Sequence, residues 1–511
     1  MRRLAELGFR ERSGLLLAPL ALLAAGWGLS GQLAHRPRWA LAVALCMAVL
    51  WITETIPLWA TALFPLVLYP LLGVCDFGQL WLEYFDPVNF LFMGGMLLAA
   101  ALEEWNVHQR LALAMITKIG VSPRRIVLGF MVTTAFISLW ISNTAAAVML
   151  FPIGMAVLSE FRRQPHVSEH DVKKLGLALM LGIGYAASMG GIGSKIGTGT
   201  NLVFVKMSDQ VLPREVTFLS WFKVGLPVVL LAIPLSWLYL VRVAAPLSGH
   251  AIPGTREAIA QRRASLGQMS RGEVLALTGF VSAALLWTFR QDLDFGALII
   301  PGWSSLVPES WALLGQGAPE PLKGLLGPRG REGLVALLIC GVLLLLPAGG
   351  GRRVLSLKAA GNISWGLLVL LGGGFAMAEG ITQSGLSRIL AEAVGNVQGV
   401  PPVLALIALC LFTTALSEVA SNTATASILL PVLATAAPEL GLSAGTAMFA
   451  AALAASFGFM LPAGTPPNAV VFSSGYIPVL SMVKAGLAVD VVGAIVIALT
   501  CYFLAPWALG Y

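Results

Sequence analysis

Residues 126–158 read IVLGFMVTTAFISLWISNTAAAVMLFPIGMAVL, an uncharged run of 33 residues. Basic residues cluster in the loops on both sides of it, at 117–125 and 161–174. Because basic loops remain in the cytoplasm, both ends of the run are expected on one side of a membrane. A single helix of this length would be about 50 Å long, whereas the hydrocarbon core is about 30 Å thick. The run therefore predicts a re-entrant hairpin over 126–158, with Ser142-Asn143-Thr144 at its tip.

A second long apolar segment, 402–436, has Ser421-Asn422-Thr423 near its middle and predicts a second hairpin. The tip of such a hairpin exposes backbone amides and carbonyls at membrane depth. That exposure is tolerated only where the tip lines a cavity or is buried in protein. We therefore expect the two Ser-Asn-Thr tips to line a binding site.

The two tips belong to a repeat that runs through most of the chain. The first tip recurs as the second at an offset of 279 residues, and three more matches keep the same order. They pair FMGG at 92–95 with LLGG at 370–373, GTGTN at 197–201 with GTPPN at 464–468, and KVGL at 223–226 with KAGL at 484–487. The loop charges orient the two copies oppositely, which is the inverted repeat of many secondary transporters. The predicted organisation is N-terminal helices over 1–57, a first repeat over 58–245, a cytoplasmic linker over 246–272 and a second repeat over 273–511.

The composition also requires a membrane protein. Of the 511 residues, 57% are hydrophobic and 11% are charged, whereas soluble domains carry about 25% charged residues. The apolar runs are roughly 20 residues long, which predicts an all-α polytopic membrane protein and not a barrel of short alternating strands. The net charge of +7 comes from short loops that set topology, so no nucleic-acid partner is expected. The same loops predict a cytoplasmic N-terminus and an external C-terminus.

The Gly-Thr motifs at 197–201 and 464–468 predict two broken helices, one in each half. Carbonyl oxygens freed by a break, serine hydroxyls and asparagine amide oxygens are neutral ligands suited to Na⁺. Half-helix N-termini direct amides and partial positive charge at an anion, and Asn and Thr donate hydrogen bonds to carboxylates. One Ser-Asn-Thr alone could be a helix cap or an interhelical contact. Two symmetric copies beside two breaks favour Na⁺-coupled uptake of an organic anion.

At these motifs the chain resembles the divalent anion/Na⁺ symporter family, which includes bacterial dicarboxylate transporters and animal citrate and sulfate carriers. The resemblance covers nearly the whole chain and also includes ITETIPL at 52–58 and GGG at 372–374. It implies about eleven transmembrane helices, two opposing hairpins, a scaffold domain and a mobile transport domain in the cell membrane. It further implies a homodimer and elevator-type movement.

The resemblance also implies site residues by motif. One Na⁺ site would use Ser138, Ser142, Asn143 and Gly197, and the other Ser417, Ser421, Asn422 and Gly464. The substrate anion would meet the tips through Asn143, Thr144, Asn422 and Thr423, and the breaks through Thr198, Thr200, Thr465 and Pro466.

Lys195 departs from the family pattern, because it lies two residues before Gly197 where the second half has Pro462. A lysine within a membrane span is costly and usually functional. Its ammonium could replace one bound Na⁺ or pair with the substrate, or it could snorkel to the aqueous edge. Glu54, Glu379, Glu418 and Asp490 also lie within spans, where proton coupling competes with a structural role.

The sequence as a whole predicts a secondary active transporter of a small dicarboxylate such as succinate, malate or fumarate, coupled to Na⁺ and without an organic cofactor. A Na⁺-independent exchanger, or a carrier of citrate, sulfate or a sulfonate, would use the same kind of site. A passive channel would need a continuous polar pore. An enzyme would need a catalytic pair, such as His with Glu on facing spans, and the sequence contains no such pattern.

Overall fold

The structure is a computed structural model that describes residues 9–120, 122–164, 167–209, 211–247, 264–294, 299–306, 319–327, 330–394 and 400–510. The helices of the first half are α1 Phe9–Gly28, α2 His35–Thr53, α3 Leu58–Thr61, α4 Phe64–Leu71, α5 Phe77–Glu83, α6 Pro87–Glu104, α7 Val107–Ile119, α8 Pro123–Ser138, α9 Asn143–Arg162, α10 Glu169–Gly191, α11 Gly199–Ser208 and α12 Phe218–Tyr239, which continues as a π-turn over Leu240–Ala244.

The helices that follow are α13 Arg271–Thr288, α14 Glu320–Leu326, α15 Arg331–Leu345, α16 Leu357–Gly361, α17 Trp365–Gln383, α18 Leu386–Val394, α19 Pro402–Ser417, α20 Asn422–Ala436, α21 Ala444–Ala454, α22 Pro466–Phe472 and α23 Val479–Leu509. Short 3₁₀ turns cover Trp303–Leu306 and Ala437–Leu440. In the described residues, two short antiparallel strand pairs join Leu293–Asp294 to Ile299–Ile300 and Pro347–Gly349 to Arg352–Arg353.

Polar loop residues start several of these helices. The side chains of Ser168 and Asp171 cap the start of α10 reciprocally, and Ser270 and Glu273 do the same for α13. Apolar side chains then continue each helix. Eight helical stretches in the described part of the chain are long and apolar enough to cross a membrane, and three shorter apolar helices accompany them.

Both predicted hairpins are present as helix–turn–helix units. The first consists of α8 and α9, which are separated by residues 139–142, and the second of α19 and α20, which are separated by residues 418–421. The predicted breaks are present as well, between α10 and α11 and between α21 and α22. The prediction of an all-helical membrane fold with two hairpins is therefore confirmed. The domain boundaries stay a prediction, and residues 248–263 of the predicted linker lie outside the described residues.

Packing divides the helices around the hairpins. Helices α8–α12 and α19–α23 contact one another and form what we call the hairpin group. Helices α6, α13 and α15 pack on one another beside it and form the flanking group. Helix α17 packs against α2–α5 on another side and contacts α11 and α20. This arrangement surrounds the hairpin tips with protein.

Candidate functional site

Both tips and both breaks line one cavity of about 400 Å³. Eleven of the predicted site residues lie on its wall: Ser142, Asn143, Thr144, Gly197, Thr198, Ser421, Asn422, Thr423, Gly464, Thr465 and Pro466. The tips and breaks of the two repeats therefore meet around one cavity. Ser138, Ser417, Thr200 and Lys195 are not on that wall.

The two tips have the same internal geometry. In the first, Ser138 Oγ lies 2.9 Å from Asn143 Oδ1 and 2.6 Å from the carbonyl oxygen of Ala187. In the second, Ser417 Oγ lies 2.8 Å from Asn422 Oδ1 and 2.6 Å from the carbonyl oxygen of Ala455. Each serine is fully buried behind the cavity. At each tip a serine hydroxyl therefore lies within 3 Å of both an amide oxygen and a backbone carbonyl oxygen.

Two asparagines hold the helix breaks in shape. Asn201 Nδ2 donates to the carbonyl oxygens of Gly191 and Ser194, at 2.9 and 2.7 Å. Asn468 Nδ2 makes the equivalent bonds to Gly458 and Leu461, at 2.8 and 3.0 Å. Each amide ties helical carbonyls that the break would leave without partners. Neither asparagine was predicted to have a role, although both Gly-Thr motifs end in Asn.

Helix N-termini converge on the cavity. Helices α9, α11 and α20 begin there, at Asn143, Gly199 and Asn422, so each brings the positive end of its dipole to the wall. Glu54 is the one charged residue among those that line the cavity in the described chain. An anion in this cavity would therefore be held by amides, hydroxyls and helix dipoles, and not by a basic side chain.

Glycine permits the close approach of tip and break. A Cβ atom at Gly191 would lie 2.1 Å from Asn143 Oδ1, and one at Gly199 would lie 2.8 Å from Thr423 Oγ1. The first contact joins the break and tip of the same half. The second joins the break of the first half to the tip of the second half. The cavity is thus built across the repeat interface.

Thr200, which the sequence predicts to contact the substrate, does not lie on the cavity wall. Its side chain is fully buried, and Thr200 Oγ1 lies 2.9 Å from Ser456 Oγ and 3.3 Å from Asn201 Oδ1. Helical residues rotate by about 100° each, so Thr200 points away from the wall that Thr198 and Gly199 form. The Thr200 hydroxyl therefore contacts Ser456, in the segment that follows α21, and does not line the cavity.

The contacts of Lys195 do not fit its predicted role as a surrogate cation. Its Nζ donates to Glu332 Oε2 and to the carbonyl oxygen of Val216, both at 2.7 Å. The residue is 2% exposed, so it does not snorkel to an aqueous edge either. The ammonium already has an anionic partner outside the cavity, and this geometry does not support a role as a stand-in for Na⁺ or as a substrate contact.

Glu418 and Asp490 bind the backbone of the second break. Glu418 accepts hydrogen bonds from the amides of Met460 and Leu461, at 2.7 and 3.1 Å. Asp490 accepts one from the amide of Phe459 at 3.4 Å. These contacts agree with the structural role that the sequence allowed for them.

Two helical hairpins and two broken helices around a single cavity define a multi-pass membrane transporter of the repeat type. The chain belongs to the family described as the sodium:sulfate symporter transmembrane region, which it matches over residues 16–508. This identification agrees with the resemblance drawn from the motifs.

The chain is 37% identical over 503 residues to the sodium-dependent dicarboxylate transporter SdcS of Staphylococcus aureus strain MRSA252. The match covers 97% of this chain and 92% of that protein, and the counterpart in strain USA300 gives the same values. Among solved structures, the YdaH transporter of Alcanivorax borkumensis aligns with a TM-score of 0.51 and 16% identity. That alignment covers 83% of this chain and 87% of YdaH, and it supports the fold alone.

Proposed function

We propose that this protein carries a small dicarboxylate, such as succinate, malate or fumarate, into the cell together with Na⁺. The observation that carries the proposal is the cavity wall, which both Ser-Asn-Thr tips and both breaks share. Two tips with donor groups on one cavity match two carboxylates at the ends of a short chain. The 37% identity to a sodium-dependent dicarboxylate transporter supports the same substrate class.

The coupling ion is expected at two places. The first comprises Ser138, Ser142, Asn143 and Gly197, and the second Ser417, Ser421, Asn422 and Gly464. Clustered oxygens at each tip, from Ser138 with Asn143 and Ala187 and from Ser417 with Asn422 and Ala455, fit a small hard cation. A dianion that enters with more than two Na⁺ ions moves net positive charge inward. A membrane potential of 100 mV then contributes about 2.3 kcal/mol for each net charge.

The proposal includes a homodimer in the cell membrane, with the N-terminus in the cytoplasm and the C-terminus outside. The basic loops support this orientation, and the family resemblance supports the dimer. The cargo crosses the membrane without chemical change, so the protein is not an enzyme. Mass photometry in nanodiscs tests the dimer, and protease access to tagged termini in oriented vesicles tests the orientation.

Uptake of labelled succinate into proteoliposomes tests the function. We expect accumulation that requires an inward Na⁺ gradient. An increase of this accumulation by an inside-negative potential would show that more than two Na⁺ ions accompany each dianion. Vesicles loaded with unlabelled succinate, with and without Na⁺, separate symport from exchange. Exchange that persists without Na⁺ would contradict coupling. Competition by malate, fumarate, citrate, sulfate and a sulfonate then ranks the dianions, and sulfate as the best competitor would contradict the dicarboxylate assignment.

A further inference from the structure

A cluster of four charged side chains lies outside the cavity. Lys195 Nζ lies 2.7 Å from Glu332 Oε2, and Arg290 Nε lies 3.1 Å from Glu332 Oε1. Arg290 NH2 also lies 2.7 Å from Glu215 Oε1. The side chains of Lys195, Glu332 and Arg290 are at most 3% exposed, and that of Glu215 is 16% exposed. The cluster is electrically neutral and nearly closed to solvent.

The cluster joins the two groups of helices. Lys195 lies in the first break and Glu215 precedes α12, so both belong to the hairpin group. Arg290 follows α13 and Glu332 lies in the first turn of α15, so both belong to the flanking group. Two ion pairs therefore cross from one group to the other, and the contact of Arg290 with Glu332 links the pairs.

A second crossing lies nearby on the same boundary. Lys206 of α11 lies 2.6 Å from Asp86 Oδ2, at the start of α6, and 3.1 Å from Glu83 Oε2, at the end of α5. Between the two crossings lies a cavity of about 310 Å³, whose wall includes Leu91, Lys195, Val205, Lys206, Glu215 and Glu332. We call this boundary the seam. Aromatic contacts also join the two groups, since Phe218 stacks on Trp287 at 4.8 Å and Trp140 meets Phe280 at 5.4 Å. At the seam cavity itself, ion pairs cross from one group to the other.

The seam cavity and a second cavity beside the site contact opposite ends of α6. The seam cavity contacts Pro87, Val88 and Leu91. A larger cavity of about 450 Å³ contacts α6 from Phe92 to Glu104, and it meets the site at Phe92, Ser142 and Leu367. The site cavity therefore shares part of its wall with the cavity toward the Glu104 end, whereas none of its wall residues is shared with the seam cavity at the Pro87 end.

We propose that Lys195, Glu332, Arg290 and Glu215 form a charge latch that holds the hairpin group against the flanking group while the site faces the Glu104 end. A transporter must alternately open its site to each side, so one group has to move against the other. The latch opens when that movement occurs. The side chains of Lys195 and Glu332 are at most 3% exposed, so separating them takes each buried charge from its partner at a high cost in free energy. The contact therefore favours two distinct positions, one with the pair formed and one with it broken. This inference deepens the proposed transport function and rests on it for its role in the cycle.

Lys195 has no basic counterpart at the equivalent position of the second break. Pro462 occupies the position in the second break that Lys195 occupies in the first, and a proline cannot pair with an acid. Two equivalent halves would stabilise the two orientations of the site similarly. A latch in one half alone stabilises one orientation, so the resting population is biased toward the conformation with the seam closed.

The latch is tested by the double variant Lys195→Met with Glu332→Gln, which removes one crossing pair without leaving a lone charge at either position. The reporter is Val205→Cys, which places a thiol on the wall of the seam cavity where the native valine is 5% exposed. In purified protein in nanodiscs, we expect a charged methanethiosulfonate to modify this thiol roughly tenfold faster in the double variant. The five native cysteines are all buried, and a sample without Val205→Cys measures their background.

Matched variants make the result decisive. Arg388→Met with Glu392→Gln removes an exposed ion pair within α18, and we expect it to leave the modification rate unchanged. If the buried double variant fails to fold, Glu215→Gln removes the other crossing pair at a more exposed residue and is expected to accelerate modification as well. An unchanged rate in a folded latch variant, judged by Tm and by elution as one species, would overturn the proposal.

Transport gives an independent readout. We expect the double variant to change the rate of succinate counterflow at least threefold while the Na⁺ and succinate concentrations for half-maximal binding shift less than twofold. A large shift in Na⁺ dependence with an unchanged modification rate would instead support Lys195 as a surrogate cation and reject the latch. The thiol assay needs no substrate, so a parent protein that does not transport succinate rejects the proposed function without deciding the latch.

Discussion

Two threonines near the cavity have opposite environments, and this gives a test at the scale of single residues. Thr423 lies on the cavity wall at the second tip, whereas Thr200 is buried against Ser456. We expect Thr423→Val to raise the KM for succinate about tenfold or more, because a hydrogen bond to a charged group contributes about 1.5–3 kcal/mol. Thr200→Val keeps the side-chain shape and should leave KM within a factor of about two. Initial uptake rates across a range of succinate concentrations measure both values.

The reverse result would be informative as well. A KM that rises in Thr200→Val and not in Thr423→Val would mean that the substrate binds behind α11 and not between the tips. Tm measurements on both variants show whether either change acts through stability. They matter most for Thr200, because its valine variant leaves the hydroxyl of Ser456 without this partner.

The sequence predicts the tips and breaks but not the direction of each side chain within them. Motifs that recur in the same order identify where the helices must stop, and eleven predicted residues do lie on the wall. Thr200 and Lys195 are in the correct segments, but each points elsewhere, because helix rotation and the position of α15 decide what a side chain meets. Glu332 and Arg290 come from distant segments, so no local pattern could pair them with Lys195.

At the scale of elements, the two breaks differ in how much space separates them from their hairpin tips. Gly191 and Gly458 are equivalent, since Asn201 and Asn468 bind their carbonyl oxygens in the same way. A Cβ at Gly191 would lie 2.1 Å from Asn143 Oδ1, whereas one at Gly458 would have its nearest contact at 3.5 Å, to the carbonyl oxygen of Ser417. The first tip therefore fits against α10 only if residue 191 has no side chain.

We predict that Gly191→Ala displaces Asn143 and raises the Na⁺ concentration for half-maximal uptake several-fold. Gly458→Ala, the same change in the other half, should shift that concentration less than about twofold. Uptake of labelled succinate is measured as Na⁺ is varied at constant ionic strength. Equal effects of the two substitutions would mean that the first tip can withdraw without loss of the cation site, contrary to the contacts described here.

At the scale of the whole molecule, the repeat duplicates the arrangement of oxygen atoms at the tips as well as the order of the helices. The hydroxyl, amide and carbonyl oxygens of the first tip recur in the second with distances that agree within 0.1 Å. Two such tips on one cavity should bind at least two cations together with one anion. Because the ions and the substrate share walls, each should raise the affinity for the others.

The rate of uptake should accordingly rise with Na⁺ concentration with a Hill coefficient above 1. Ser138→Ala and Ser417→Ala each remove one oxygen from one tip, and each should lower the coefficient toward 1 while raising the Na⁺ requirement. Ser236→Ala is the matched control, since this buried serine contacts Met189 Sδ and lies on neither tip. A coefficient that falls with one serine variant and stays at the parent value with the other would mean that the two halves hold the same oxygens but that only one of them binds a coupled ion.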